Sequence, residues 1–210
     1  MKLTPSKIIG IASNYRKHIA EMGRPVPAVP KLFLMPPTAL IGPGEPILLP
    51  AGIGRVDHEA ELGVVIGRRM SRVTRDEALD FVAGYTAVND VSAREFQRQD
   101  GAFCRAKGMD TFCPAGPAVV SDIDPFNTRV RCWVDGELRQ DGNTSDLLFD
   151  VPTLLSFISH HMTLQPGDLI STGTPMGVGP IEPGQTVVVE VEGVGRLENP
   201  VLARPERGHP

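Results

Sequence analysis

The sequence has few aromatic residues, few cysteines and no excess of positive charge. Aromatic side chains make up 5% of the 210 residues, and the formal net charge at pH 7 is −4. Because no basic stripe is present, the sequence argues against a nucleic-acid partner. The three cysteines, Cys104, Cys113 and Cys132, lack the spacing of metal ligands. We expect them to be reduced thiols of a cytoplasmic protein.

Long apolar runs are also missing. No stretch approaches the roughly 20 apolar residues of a membrane span. The first residues, MKLTPSK, lead into only a short apolar patch, so we expect no signal peptide. The expected partners are therefore a small molecule and a second copy of the chain, with no membrane partner.

Glycine and proline are abundant, with 22 and 20 residues. Together with a hydrophobic content of 41%, they favour many short strands joined by tight turns around a substantial core. No repeat or linker divides the chain. We therefore expect one domain over residues 1–210, a β-rich α+β fold with a few peripheral helices and a frayed tail at 200–210.

Local patterns place the main elements. Residues 57–67 alternate as a strand, with Ala60 and Leu62 on one face and Glu59 and Glu61 on the other. Helices are expected at 14–22, 71–85, 91–99 and 151–162, the second of them with a capping box that starts at Thr74. The pair at 135–136, Asp-Gly, predicts a hairpin turn.

Three carboxylates are candidate metal ligands. Glu59 and Glu61 share one strand face, and Asp90 ends a different strand; hard divalent cations prefer such oxygen ligands. The alternative is an ordinary solvated strand face, because Glu190 and Glu192 have the same spacing. Spacing alone leaves this choice open.

Four segments carry a resemblance to a known family. VDHEAELGVVIG, GYTAVNDVSARE, KGMDTFCPAGP and STGTPMGVGP occur in this order, with WVDGELRQDGNTSD between the last two. Together they resemble the fumarylacetoacetate hydrolase family, over about residues 7–199. The chain is most similar to its short, single-domain members: acylpyruvate hydrolases, oxaloacetate decarboxylases and 2-hydroxyhepta-2,4-diene-1,7-dioate isomerase/decarboxylases.

The resemblance implies a fold and an assembly. The fold would be the mixed β-sandwich roll of the family's C-terminal domain, forming a single catalytic domain in a homodimer. Residues 1–35 would supply the N-terminal strand and a lid segment. The metal would be Mg²⁺, with Mn²⁺ or Ca²⁺ as alternatives, bound by Glu59, Glu61 and Asp90 and not by Glu190 or Glu192.

The resemblance also implies roles for polar residues around the metal. His18 and Glu21, neighbours on a helix, would activate a water molecule as a general base, and Lys107 would face the substrate oxygens. Spacing alone would favour an exposed ion pair for the first two and a solvated charge for Lys107. Arg94 and Gln97 would lie on the helix after Asp90.

Arg94, Gln97 and Thr174 are the expected substrate-binding residues, and Arg94 is also expected to pair with nearby carboxylates. The loop around Thr174 offers hydroxyl and N–H groups to an anion, although such a segment is often only a turn. Two positions depart from the family pattern. Met35 stands where many relatives have lysine, near the expected substrate entrance, and Phe103 stands where many have tryptophan.

These residues imply a metal-dependent enzyme that acts on small 2-oxo acids. The favoured reaction is hydrolytic cleavage of a carbon–carbon bond in an acylpyruvate. The alternatives are isomerisation or decarboxylation of 2-hydroxyhepta-2,4-diene-1,7-dioate in aromatic catabolism and decarboxylation of oxaloacetate. From a different class, the chain could be a non-catalytic small-molecule-binding protein.

Overall fold

The computed structural model describes residues 3–23 and 25–205, which form three β-sheets and four short α-helices. The seven-stranded sheet has the spatial order β2 (Lys31–Met35), β1 (Ile8–Ala12), β12 (Leu169–Ser171), β6 (Ala60–Ile66), β7 (Val82–Asn89), β9 (Cys113–Val120) and β3 (Leu40–Ile41). The five-stranded sheet has the order β11 (Glu137–Asn143), β10 (Arg129–Val134), β14 (Thr186–Val191), β15 (Gly195–Ala203) and β4 (Ile47–Leu49). The three-stranded sheet has the order β13 (Gly179–Pro180), β5 (Val56–His58) and β8 (Ser92–Ala93).

The helices lie outside the sheets. They are α1 (Arg16–Glu21), α2 (Arg94–Asp100), α3 (Cys104–Lys107) and α4 (Val151–His161), and short 3-10 turns occur at Pro37–Ala39, Ala78–Phe81 and Thr144–Asp146. None of the helices in the described ranges has the length and apolar character needed to cross a membrane.

The sheets are mixed. β1 pairs in parallel with β12, β3 with β9 and β4 with β15, while the β6–β7 and β10–β14 pairs are antiparallel. β14 of the five-stranded sheet packs across β6 and β7 of the seven-stranded sheet. The predicted fold class, a β-rich mixed sandwich roll, is confirmed.

The main core lies between the two larger sheets, and β6 is the central strand of the seven-stranded sheet. Ala60, Leu62 and Val64 face this core, as the alternation predicts. Val65, on the other face of β6, packs into a second apolar cluster with Phe33. Because both faces of β6 are covered, a polar side chain at the start of the strand is removed from solvent.

The predicted helix at 71–85 is wrong. The Thr74 N–H and hydroxyl donate to Glu77 as in a capping box, at 3.0 and 2.6 Å, but only the 3-10 turn Ala78–Phe81 follows. From Val82 the chain forms β7, paired with β6 and β9 on its two sides. Ladder pairing and burial of the VAGYTAVN segment outweigh the local helix signal.

Two predictions at the other end of the chain have different outcomes. The hairpin turn at Asp135 and Gly136 is confirmed: both have positive φ, and they connect β10 to β11. The tail was expected to fray from residue 200, but β15 continues to Ala203, with Val201 paired to Ile47 of β4. Residues 206–210 of the predicted tail lie outside the described residues.

Candidate active site

The three carboxylates that were predicted as metal ligands meet where β6 begins and β7 ends. Glu59 lies between β5 and β6, Glu61 is the second residue of β6, and Asp90 follows β7. The antiparallel register places Ala60 opposite Asn89, which brings these strand ends together. One carboxylate oxygen from each of the three residues lies within 4.8 Å of the others. They form one buried acidic cluster.

Two of these carboxylates are held in different ways. The Ser171 hydroxyl and the Gly173 N–H donate to Glu61 Oε2 at 2.5 and 2.6 Å. Lys107 Nζ donates to Asp90 Oδ2 at 2.5 Å. The other oxygen, Asp90 Oδ1, is buried and has no hydrogen-bond partner among the described residues. Leaving a buried acceptor unpaired is unfavourable, so this oxygen is a ready ligand for a cation.

Two cationic side chains border the cluster. Lys107 Nζ donates to Glu59 Oε2 at 2.8 Å, and Arg94 donates to the other oxygen of Glu59 at 2.5 Å. Arg94 also donates to Asp57 at 2.7 Å and to Gln97 at 2.9 Å. The guanidinium therefore pairs with the carboxylates, as expected, and orients Gln97 on the same side.

The charges shift the pKa values in opposite directions. Burial raises the pKa of Glu59, but Lys107 and Arg94 outweigh it and bring that pKa down to about 2. Burial, followed by the charges of Asp90 and Glu59, raises the pKa of Glu61 well above its ordinary value. Burial raises the pKa of Asp90 to about 6, although Lys107 opposes this rise. The two cations leave the negative charge of the cluster only partly neutralised.

A hard divalent cation fits these residues. All three donors are carboxylates, the ligands that Mg²⁺, Mn²⁺ and Ca²⁺ prefer, and no cysteine or histidine joins the cluster within the described ranges. The unpaired Asp90 Oδ1 would gain a partner. A divalent charge would also relieve the repulsion that raises the pKa of Glu61. The acidic cluster is therefore able to hold a divalent metal.

His18 and Glu21 line the same cavity as two carboxylates of the acidic cluster. His18 Nδ1 is 3.1 Å from Glu21 Oε2, and the Glu21 carboxylate also accepts the Gly177 N–H at 3.3 Å. The cavity, of about 590 Å³, is lined by this pair and by Glu59 and Glu61. The two residues are thus not an isolated surface pair, because they face the same space as the carboxylates.

The predicted substrate-binding residues line this cavity as well. Arg94, Gln97 and Thr174 all border it, and Lys107 extends into it from α3. The Thr174 hydroxyl donates to the Ala60 carbonyl oxygen at 3.0 Å, so the loop is tied to the ligand strand. Eight of the nine residues predicted from the sequence therefore line this cavity, and the ninth, Asp90, adjoins them through the acidic cluster.

The two departures from the family pattern lie in different surroundings. Phe103 lines the cavity and packs against Phe33, with ring centroids 4.8 Å apart, and Lys107 Nζ lies 5.1 Å from the Phe33 centroid. Met35 is 2% exposed and packs in the second apolar cluster. It is not among the described residues that line the cavity, so the expectation that it lies at the entrance is wrong.

Sequence reasoning missed several polar residues. Asp57 is buried and accepts Arg55 Nε and Arg94 Nε, each at 2.7 Å. Its sequence signal is its position two residues before Glu59, on the same strand face. Ser171, which orients Glu61, ends β12 directly before the glycine-rich loop; nothing in the local pattern marked it.

Glu190 and Glu192 repeat the spacing of the ligand glutamates but have a different role. Glu190 belongs to β14 of the five-stranded sheet, and Glu192 directly follows that strand. Glu190 pairs with Arg131, and with Arg196 at 3.6 Å, while Glu192 accepts the Arg129 N–H at 3.3 Å. This part of the sheet carries an ordinary network of surface charges, which explains why equal spacing alone could not identify the metal ligands.

Comparisons with known proteins point to one family. The sequence model of the fumarylacetoacetate (FAA) hydrolase C-terminal region matches residues 7–202. Protein Rv2993c of Mycobacterium tuberculosis is 50% identical over 202 residues, which are 95% of this chain and 76% of that protein.

Solved structures agree with this match. The 5-carboxymethyl-2-hydroxymuconate delta-isomerase of Mycobacterium smegmatis superposes with a TM-score of 0.91 at 51% identity, covering 97% of this chain and 81% of that one. The 2-hydroxyhepta-2,4-diene-1,7-dioate isomerase of Mycobacterium marinum also gives 0.91, at 46% identity, covering 97% and 77%.

Proposed function

The chain belongs to the fumarylacetoacetate hydrolase family, and on that premise we propose that it hydrolyses a carbon–carbon bond of small 2-oxo acids of the acylpyruvate type. The observation that carries this proposal is the position of His18 and Glu21 in the cavity that also holds Glu59 and Glu61. Hydrolysis needs a general base to activate water, and a histidine paired with a carboxylate suits this role near neutral pH.

The acidic cluster would hold the metal, with Mg²⁺ as our first choice and Mn²⁺ or Ca²⁺ as alternatives. When bound, a divalent cation would polarise the 2-oxo group as a Lewis acid.

The free thiols of Cys104, Cys113 and Cys132 support a reducing, cytoplasmic location.

The residues of this chain would then act as follows. His18, oriented by Glu21, takes a proton from a water molecule, and the resulting hydroxide attacks the distal carbonyl carbon of the acylpyruvate. The bond between that carbon and the methylene carbon breaks, releasing a carboxylic acid and the enolate of pyruvate, which a proton converts to pyruvate.

Lys107 lies where the negative charge develops. Burial by itself lowers its pKa, but Asp90 and Glu59 outweigh burial and hold that pKa above its ordinary value. The side chain therefore stays cationic and stabilises the enolate by a preorganised charge. Arg94, Gln97 and Thr174 would position the substrate.

Isomerisation is the second candidate function. The solved relatives at 51% and 46% identity are named as a 5-carboxymethyl-2-hydroxymuconate delta-isomerase and a 2-hydroxyhepta-2,4-diene-1,7-dioate isomerase. Moving a proton along a dienol, or losing CO₂ from oxaloacetate, develops charge at the same 2-oxo end as hydrolysis. Neither reaction requires an activated water, so both are less dependent on His18.

The test compares kcat/KM for acetylpyruvate and oxaloacetate, with Mg²⁺, in wild type and His18→Ala. A positioned general base contributes about 10²–10⁴-fold, so we expect His18→Ala to lose acetylpyruvate hydrolysis by about that factor. Oxaloacetate decarboxylation should fall far less. Lys17→Ala, an exposed change on the same helix, is the matched control and should retain both activities.

Three outcomes contradict the proposal. If both activities fall together, His18 only orders α1. If neither falls, the pair has no part in catalysis and isomerisation becomes the better assignment. If the wild type turns over neither substrate nor a dienol diacid, the chain is a binding protein.

A further inference from the structure

The Gln140 side chain, on β11, makes a complete set of hydrogen bonds in the interior. Its Oε1 accepts the Ala60 N–H at 2.9 Å and His58 Nδ1 at 3.0 Å. Its Nε2 donates to the Thr174 hydroxyl and to the Pro175 carbonyl oxygen, both at 2.8 Å. Because a backbone N–H must face the oxygen and a carbonyl must face the nitrogen, the amide has only one satisfied orientation.

This amide joins the two halves of the active site. Ala60 stands between the ligand glutamates Glu59 and Glu61, so one end of the amide holds the ligand strand. The other end holds the loop that leads to Gly177, whose N–H donates to Glu21 at 3.3 Å. A single side chain thus connects the acidic cluster to the residue that orients the general base.

The surrounding hairpin fits the same loop closely. A Cβ atom on Gly142 would overlap the Pro175 ring, and one on Gly177 would overlap the Arg139 carbonyl oxygen. Gly177 also has φ +91°, which disfavours other residues. The loop therefore rests directly on β11 on both sides of Gln140.

We infer that Gln140 is a positioning residue, which sets the separation between the acidic cluster and the His18–Glu21 pair by tying the 174–177 loop to the ligand strand. It is not among the described residues that line the cavity, so it acts through its neighbours and not on the substrate. The catalytic part of this inference rests on the proposed hydrolysis; the structural coupling does not.

Two variants disturb the coupling by different routes. Gln140→Met keeps the volume and removes all four hydrogen bonds. Gly142→Ala leaves the amide intact but pushes a methyl group against Pro175. This second variant tests the coupling if Gln140→Met folds poorly. Glu137→Gln, an exposed change on the same strand, is the control.

Each variant is compared with wild type by amide hydrogen exchange, by Mn²⁺ titration calorimetry and by kcat for acetylpyruvate. We expect faster exchange in the 174–177 loop and in α1. In Gln140→Met the Ala60 amide, which loses its acceptor, should also exchange faster, with exchange in the rest of β6 unchanged. Mn²⁺ affinity should stay at the wild-type value, because Ser171, Gly173, Arg94 and Lys107 still hold the ligands. Since a displacement of about 1 Å can cost 10²-fold in rate, kcat should fall by up to about 10²-fold.

Unchanged exchange in the loop and α1 of both variants would overturn the inference. So would a uniform rise in exchange that includes residues 61–66 of β6, which would mean a general loss of stability, or a loss of Mn²⁺ affinity equal to the loss of rate. If the wild type fails to hydrolyse acetylpyruvate, the proposed function fails, while exchange and metal affinity still decide the coupling.

Discussion

Replacing Lys107 by methionine tests the charge balance of the acidic cluster. The lysine side chain is only 4% exposed and donates to both Glu59 and Asp90. Methionine has a similar length, so the change removes the charge while keeping most of the packing. Three carboxylates with oxygens within 4.8 Å of one another would then have Arg94 as their remaining neighbouring cation.

The expected loss of stability follows from removing one partner of a buried ion pair. Removing one partner of such a pair typically lowers the free energy of unfolding by about 3–5 kcal/mol. For a chain of this size, 1 kcal/mol corresponds to about 2–4 °C, so the melting temperature of the metal-free variant should fall by about 6–20 °C.

The loss of unfolding free energy caused by Lys107→Met should increase with pH. Burial already raises the pKa of Asp90 to about 6, and loss of the lysine charge would raise it further. An unfolded aspartate has a pKa of about 3.9. A carboxyl group with a higher pKa in the folded state contributes its stability below the unfolded pKa, and this contribution is lost as pH rises through the folded pKa. The deficit of the variant should therefore be smaller near pH 5, where it comes mainly from the lost pair with Glu59, and larger at pH 8.

The assay is urea unfolding at several pH values, with chelator and with saturating Mg²⁺. A cation that binds only the folded state stabilises it, and the gain should be larger in the variant because more negative charge awaits neutralisation. Arg129→Met is the control, since it breaks an exposed pair with Asp141 that is worth about 0–1 kcal/mol. A chelator-treated Lys107→Met protein as stable as wild type at pH 8 would refute this reasoning.

Three further predictions concern other parts of the molecule. Glu59→Ala should abolish Mg²⁺-dependent turnover and Mn²⁺ binding in a folded protein, whereas Glu190→Ala should retain both. Calorimetric titration of Mn²⁺ into protein that has been stripped of metal with a chelator measures the binding. Sedimentation at micromolar concentration should give twice the chain mass, as the exposed apolar side chains Leu34 and Leu138 suggest, and a fully active monomer would contradict this. Asp168→Asn should lower the free energy of unfolding by about 2–4 kcal/mol, because its buried oxygens accept several N–H and O–H groups. Burial raises the pKa of Asp168 but these bonds outweigh it and lower that pKa. The deficit measured by urea unfolding should therefore be complete above the unfolded-state pKa of about 4 and be lost as pH falls through the lower folded-state pKa.

The outcome at β6 shows what a local pattern is able to predict. The alternation of Ala60, Leu62 and Val64 against Glu59 and Glu61 follows directly from the two-residue period of a strand. It predicts that the glutamates share a face, and the structure agrees. The alternation does not predict whether that face is exposed to solvent, because burial comes from strands and helices that are distant in sequence.

The errors and omissions have the same physical origin. The capping interaction at Thr74 is real, yet the segment after it becomes β7 because two neighbouring strands are available to pair with it. Gln140 was not selected, since its partners His58 and Thr174 lie 82 and 34 residues away. Lys107 resembles any solvated lysine until Phe33, from β2, covers it. Tertiary contacts decide each case, and family resemblance, not spacing, identified the lysine.

The candidate reactions differ in what they require from the His18–Glu21 pair in the cavity. Hydrolysis, isomerisation and decarboxylation of a 2-oxo acid all develop negative charge at the same end of the substrate. In our proposal, Lys107 and a metal held by the acidic cluster stabilise this charge in each reaction. Of these reactions, only hydrolysis also needs an activated water, and His18, the proposed base for that water, belongs to α1. Because Glu21 is held by the 174–177 loop, and that loop by Gln140, our proposal makes hydrolysis depend on a chain of hydrogen bonds that begins at the ligand strand itself.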